Sequence, residues 1–268
     1  MRFFINLIDT PKRLVDIALG LSSSSFFWWI LLMDCLVLLA AIGFSILIGF
    51  FQGEETWQFQ EIGLITIASA IQLLMISYTA KHIFELRGGK GRVEKLTQLP
   101  WSDPTMIWII ISFGFLFLVF DEVLFIHNGI DKGIHLVLNI QETPTTDKLD
   151  DVIVGLYGLA GVFVLLFFRK ELLRIKSSLP FLIAGFFCLF LMVGLDIATN
   201  QKNIIEMYIL SPERVDEVYR LLSIGEEFTK LVGESMFLVG FSHGAKRLRD
   251  GKKGKMTRQM VLRHISCE

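Results

Sequence analysis

TMIWIIISFGFLFLVFDEVLFIHNGIDKGIH (105–135) decides what kind of chain this is. From Thr105 to Phe120 no residue is charged. An acid pair, Asp121-Glu122, follows, and the apolar character then resumes as far as His127. An apolar run of this length matches what a helix needs to cross the hydrocarbon core of a bilayer, roughly 20 residues. Working outward, six segments have this character, at about 26–50, 62–80, 105–127, 152–168, 181–199 and 221–241. The whole chain agrees: of 268 residues 53% are hydrophobic and 20% charged, formal net charge is −1 and mean hydropathy is +0.56. That composition excludes an ordinary soluble domain and a disordered chain. Three cysteines, two of them inside apolar runs, make neither a disulfide framework nor a metal-binding CxxC motif. Asp9, Pro11, Lys12, Arg13 and Asp16 interrupt the first residues before any long apolar run, unlike a secretory signal.

The expected architecture is all-α, a polytopic membrane bundle of six transmembrane helices, because a helix satisfies its own backbone in lipid. Lys and Arg orient it. Twenty lie in the N-terminal segment, the 81–104 and 169–179 loops and the tail, against five in the opposite loops. That asymmetry places both termini in the cytoplasm and the protein in the cell's inner (plasma) membrane. Three regions follow: an interfacial cytoplasmic segment over 1–25, with a short helix at 11–20; a transmembrane domain over 26–242; and a basic tail over 243–268. Phe26, Phe27, Trp28, Trp29, Trp101 and Trp108 read as interfacial anchors. The helix starting at Ser211-Pro212-Glu213 is expected to run unbroken into the last span. The expected partners are membrane lipids, with the KRLRDGKKGK stretch of the tail suited to anionic headgroups rather than to nucleic acid.

Charges inside the spans carry the functional question. Asp34, Asp121, Glu122, Asp196, Glu226, Glu227, Lys230 and Glu234 all fall there. An ionised Asp at a helix centre costs about 2.5–3.5 kcal/mol on insertion scales, so these groups must face the interior, pair, protonate or hold a cation. By helical rise, Asp121, Glu122, Asp196, Glu226 and Glu227 share one outer layer, and Asp34 and Glu234 lie nearer the inner face. His127, Asp131 and His135 recur every four residues and share one stripe. Neutral imidazoles with carboxylates are ligands for Zn²⁺ or another divalent cation. The candidate metal set is therefore Asp121, Glu122, His127, Asp131, His135, Asp196, Glu226 and Glu227, opening to the extracytoplasmic side. A zinc ion there would activate water against a lipid-derived substrate in the outer leaflet. Two alternatives stay open. One is a proton- or cation-coupled transporter, which requires polar groups at several depths. The other is a non-catalytic subunit of a membrane complex, whose polar network only locks packing, with Lys230 neutralised by Glu226, Glu227 and Glu234 on its own helix.

Two resemblances attach to these residues. The FDEVLFIHN segment (120–128), followed much later by Glu226-Glu227, resembles a pattern in uncharacterised bacterial multi-pass membrane proteins with a DE-x4-H segment. It implies a multi-pass fold and brings no activity. The acid pair also resembles the alkaline ceramidase and progestin-receptor-like superfamily of membrane hydrolases, which would imply a zinc site and lipid hydrolysis. That superfamily uses a Ser-x3-His pair and a closing His-x3-His. Here Ser77 and His82 are five apart, and His243 lacks a His partner at that spacing. No Walker A, GxSxG or HExxH sequence is present; GGKG at 88–91 is a flexible basic loop.

Overall fold

Long apolar segments in lipid have only one local way to bond their backbone, and the chain takes it. The computed structural model describes residues 20, 23–52, 63–88, 103–139, 149–199 and 212–265. Among these every regular element is helical: α1 (Ser23–Gln52), α2 (Leu64–Gly88), α3 (Met106–Leu124), α4 (Ile126–Leu138), α5 (Leu149–Phe167), the one-turn α6 (Arg169–Leu172), a 3-10 segment (Leu173–Ser178), α7 (Leu179–Thr199) and α8 (Pro212–Ile265). The all-α expectation holds. The interfacial helix expected over 11–20 lies, apart from Gly20, outside the described residues.

Four stretches are long and apolar enough to cross a membrane: Ser25–Leu47, Leu64–Gly88, Met106–Leu124 and Arg169–Ala198. The other two expected segments differ for physical reasons. The apolar part of α5 is the shorter Val152–Phe167. In α8 the apolar run is broken by Glu226, Glu227, Lys230 and Glu234. That helix starts at Pro212, where a missing N–H costs nothing, and runs for 54 residues without interruption.

Helix α8 organises the bundle. It packs most extensively on α7, then on α2 and α1, while α2 also pairs with α3, and α5 lies against α7 and α4. Glycine sets the closeness of α7 and α8. A Cβ at Gly233 would sit 3.1 Å from Cys188 Cβ and 3.3 Å from the Gly185 carbonyl oxygen, a tight contact that a side chain there would have to push apart by a few tenths of an ångström. On α5, Gly158 and Gly161 face Leu189, Phe190 and Phe186 of α7.

The apolar core lies at one end, where α2, α3, α7, α8 and the 3-10 segment meet around Ile76, Ile83, Ile107, Trp108, Ile175 and Leu238. Phe115, Phe237 and Phe241 meet edge to face or stacked, and Trp108 packs edge-on against Phe241 with centroids 6.1 Å apart. Trp108 is thus a correction to the sequence reading: it is 0% exposed and is a core residue, not an interfacial anchor. Its indole N–H donates to Glu171 Oε1 at 3.3 Å, which explains how so large a polar-tipped ring is tolerated there. Trp28 and Trp29 are exposed, whereas Phe26, also expected as an anchor, is 7% exposed and joins the core. Trp101 lies outside the described residues.

Candidate functional site

The acid pair on α3 is split by helical geometry, since neighbouring side chains point about 100° apart. Asp121 turns toward the end of its own helix. The chain breaks at Phe125, whose φ of 52° and ψ of 47° are left-handed, a strained conformation for a bulky residue. Helix α4 restarts at Ile126, and the Asp121 carboxylate closes the break. It accepts the His127 backbone N–H at 2.9 Å and lies 2.8 Å from His127 Nδ1. A carboxylate at a helix N-terminus satisfies an otherwise orphaned donor and opposes the helix dipole. Two turns on, His135 Nδ1 sits 3.0 Å from both the backbone carbonyl oxygen and Oδ1 of Asp131. The expected stripe of His127, Asp131 and His135 therefore exists on α4, but each histidine is engaged by a carboxylate close to it in sequence. Helix α4 ends at Asn139, also left-handed, a residue type suited to that cap.

Glu122 takes the other direction, into the interior. Lys230 Nζ donates to Glu122 Oε1 at 3.0 Å and lies 2.7 Å from Glu227 Oε2. The sequence places three acids on α8 within reach of Lys230. In the fold one of them, Glu227, forms the short ion pair, and the second short pair comes from α3. One turn further along α8, Glu234 is 8% exposed and its Oε1 accepts from Ser69 Oγ of α2 at 2.7 Å. Its second oxygen, Oε2, is buried with no hydrogen-bond partner. Beside it Ser235 Oγ donates to Asp34 Oδ2 of α1 at 2.6 Å, and Gln72 Nε2 of α2 donates to Asp34 Oδ1. Asp34 is 2% exposed.

These contacts make three polar groups that follow one another along α8 and together form a polar column: Lys230 with Glu122 and Glu227, Glu234 with Ser69, and Asp34 with Gln72 and Ser235. The column draws on α1, α2, α3 and α8. Along α8 it runs from position 227 to 235, about 12 Å. Lys230 pairs with the outer acids Glu122 and Glu227, and the inner acid Glu234 follows one turn further along the same helix. The column holds four carboxyls against one ammonium.

The eight proposed metal ligands do not gather. Asp121 with His127, Asp131 with His135, and Glu122 with Glu227 fall into three groups. Asp196 and Glu226 are half-buried, and each takes part in an interaction. Among the described residues no group of three or more His, Cys, Asp or Glu side chains is placed to hold a metal ion.

Sequence reading missed several members. Ser69 and Gln72 are three apart on α2 and share its inward face, a signal available from spacing alone. Tyr157 of α5 was also missed: its buried hydroxyl has no hydrogen-bond partner and feels the Asp121 charge. Away from the column, Glu171 is 1% exposed and gathers Arg87 and Arg174 as well as Trp108. Beyond the apolar part of α8, burial together with Arg247 and Lys246 holds the His243 ring below the usual histidine range.

Fold and interior together define a helical protein with membrane-length apolar helices around a buried polar core. Within that class, residues 94–244 match a protein family described as a domain of unknown function, DUF8692, and the chain belongs to that family. The matched region contains Glu122, Glu227, Lys230 and Glu234 but not Asp34, Ser69 or Gln72. No curated protein and no solved structure matches the chain.

Proposed function

We propose that the chain is a multi-pass protein of the inner membrane, with six spans and both termini cytoplasmic, which relays a cation, H⁺ included, along its interior polar column. The observation that supports this is the column's composition: carboxyl groups from three helices, each held by a hydroxyl, amide or ammonium group, stand at successive positions along the buried side of α8. A network that served packing alone would have its groups satisfied and its charges balanced. Here Glu234 Oε2 is left without a hydrogen-bond partner, and the column's single ammonium pairs with two of its four carboxyls, Glu122 and Glu227. Intramembrane ionisable groups at successive depths are what an ion pathway requires. The basic inner face and tail then lie against anionic headgroups.

The test is flux through vesicles containing the purified full chain, with a pH or cation gradient imposed. Glu234→Gln keeps the shape and an oxygen for Ser69 but removes the ionisable group. We expect its flux to fall about ten-fold or more, with an unchanged thermal midpoint. Wild-type flux no greater than that of empty vesicles overturns the reading.

A further inference from the structure

We propose that Glu234 is the column's ion-binding site and that the ion it binds is a proton, held on Oε2. This deepens the relay reading and rests on it. In the outer group one ammonium meets two carboxylates, Glu122 and Glu227, which leaves negative charge in excess there. The inner groups hold two more carboxyls, Asp34 and Glu234, 2% and 8% exposed. The hydrogen bonds these two accept come from uncharged donors: Gln72, Ser235 and Ser69. Lys230 stands one turn from Glu234, but its charge is already exceeded by the two acids it pairs with. Ionising both inner carboxyls would add to a surplus of like charge out of water, and groups so placed take up a proton or a cation instead.

The hydrogen bonds show which of the two takes it. Asp34 accepts at both oxygens, from Gln72 Nε2 at Oδ1 and from Ser235 Oγ at Oδ2. Donors on each side suit the charged form of a carboxyl. Glu234 accepts from Ser69 Oγ at Oε1, while Oε2 is buried without a donor. An ionised Glu234 leaves part of a full charge unpaired at that oxygen. A proton on Oε2 removes the charge and leaves one neutral hydroxyl, the smaller penalty. Oε1 stays an acceptor, so the bond from Ser69 survives protonation.

A metal ion suits the same oxygen poorly. Hard divalent cations take about six oxygens or more, and alkali ions in membrane proteins draw on carbonyls released where a helix unwinds. Helices α2 and α8 run unbroken through Ser69 and Glu234, so their carbonyls stay in helical bonds. Among the described residues no group of three or more His, Cys, Asp or Glu side chains is placed to hold a metal ion. A proton needs a single lone pair. Within electrostatic reach of Glu234 lie Asp34 on α1, Glu122 on α3 and Lys230 on its own helix. Helix α2 offers Ser69 and, one turn on, Gln72, neither of them an acid. Helix α7 sets the Cys188 thiol against the neighbouring Gly233.

The experiment is labelling of the full chain in vesicles with dicyclohexylcarbodiimide, an apolar reagent that adds to protonated carboxyls. The acid's proton goes to a reagent nitrogen and its oxygen bonds the central carbon, so no further reactant is consumed. Peptide mass spectrometry locates the adduct. Wild type at neutral pH is expected to carry it on Glu234, about ten-fold or more above Asp34, Glu122 and Glu227, and equally in sodium, potassium and choline buffer. Infrared spectra of Glu234→Gln are expected to lose one C=O band of a protonated carboxyl. Where that variant folds, an unchanged band overturns the inference. Where it does not fold, the wild-type adduct decides, and labelling of Asp34 equal to or above that of Glu234 overturns it. Suppression of labelling by Na⁺ or K⁺ at constant pH and ionic strength overturns the proton assignment and leaves the relay reading standing. A proton found on Glu234 without flux in wild type does the reverse.

Discussion

Glu171 is the residue on which the membrane-length helices are tied together outside the column. It follows a positively charged pair, Arg169-Lys170, yet its own side chain is buried while theirs are exposed. Arg87 from the end of α2, Arg174 from the 3-10 segment and the Trp108 indole from α3 converge on its two oxygens. Replacing it by Leu leaves Arg87 without its counter-ion and Trp108 without its acceptor. We expect Glu171→Leu to cost about 2–3 kcal/mol, discounted from the buried-pair range because Arg87 is partly solvated. Thermal unfolding in detergent measures it, and a loss below about 1 kcal/mol contradicts the assignment. This residue was illegible in the sequence because an acid beside basic residues at a span end looks solvated. The charged members of the column were legible for the opposite reason: an acid inside an apolar run has few places to go. For Ser69 the spacing shows a face shared with Gln72 but not an acid as partner, since a hydroxyl in a helix is as well served by its own backbone. Thr79 and Thr229 take that course, donating to the carbonyls of Met75 and Gly225.

At the scale of elements, helix positions followed directly from the apolar runs, and the unbroken start of α8 at Pro212 was foreseen from the Pro and the acids after it. The break between α3 and α4 was less legible. Gly129 and Gly133 carry the lowest helix propensity of that segment, yet the break falls at Phe125, where Asp121 can reach His127. Tertiary geometry, not local propensity, chose the site. The metal expectation failed to assemble for a related reason. A stripe on one helix says which residues share a face, but not which neighbour arrives opposite. The α7–α8 contact offers a direct test of element packing. Gly233→Ala places a methyl group against Cys188 Cβ and the Gly185 carbonyl, where the nearest distances are 3.1 and 3.3 Å. We expect a loss of about 1–2 kcal/mol. Gly114→Ala on α3 meets nothing within 4 Å and is expected to be neutral or to stabilise by about 0.5 kcal/mol. Equal effects from the two substitutions would refute the close approach.

For the whole molecule the charge asymmetry makes a topological prediction. Single cysteines introduced into the 128–151 and 200–220 segments, in a chain whose own three cysteines are replaced, should react with an impermeant thiol reagent added from outside. Cysteines in the 89–102 segment should react only after permeabilisation. Labelling of all three from outside would require a different threading. The near-zero net charge hides this asymmetry because the acids sit partly within the bundle and the bases largely beyond it.

Helix α8 carries one further consequence. It holds Lys230 and Glu234 at its middle and the basic stretch beginning at Lys246 on the same continuous rod. From Lys230 to Lys252 the rod extends about 33 Å. A tilt of about 5° with its fulcrum at the lysine sweeps that end through about 3 Å, a displacement the size of a hydrogen bond. The continuous helix thus ties position at its buried middle to position of the basic arm: a rigid tilt small enough to leave the packing at Lys230 in place displaces the arm by about the length of a hydrogen bond.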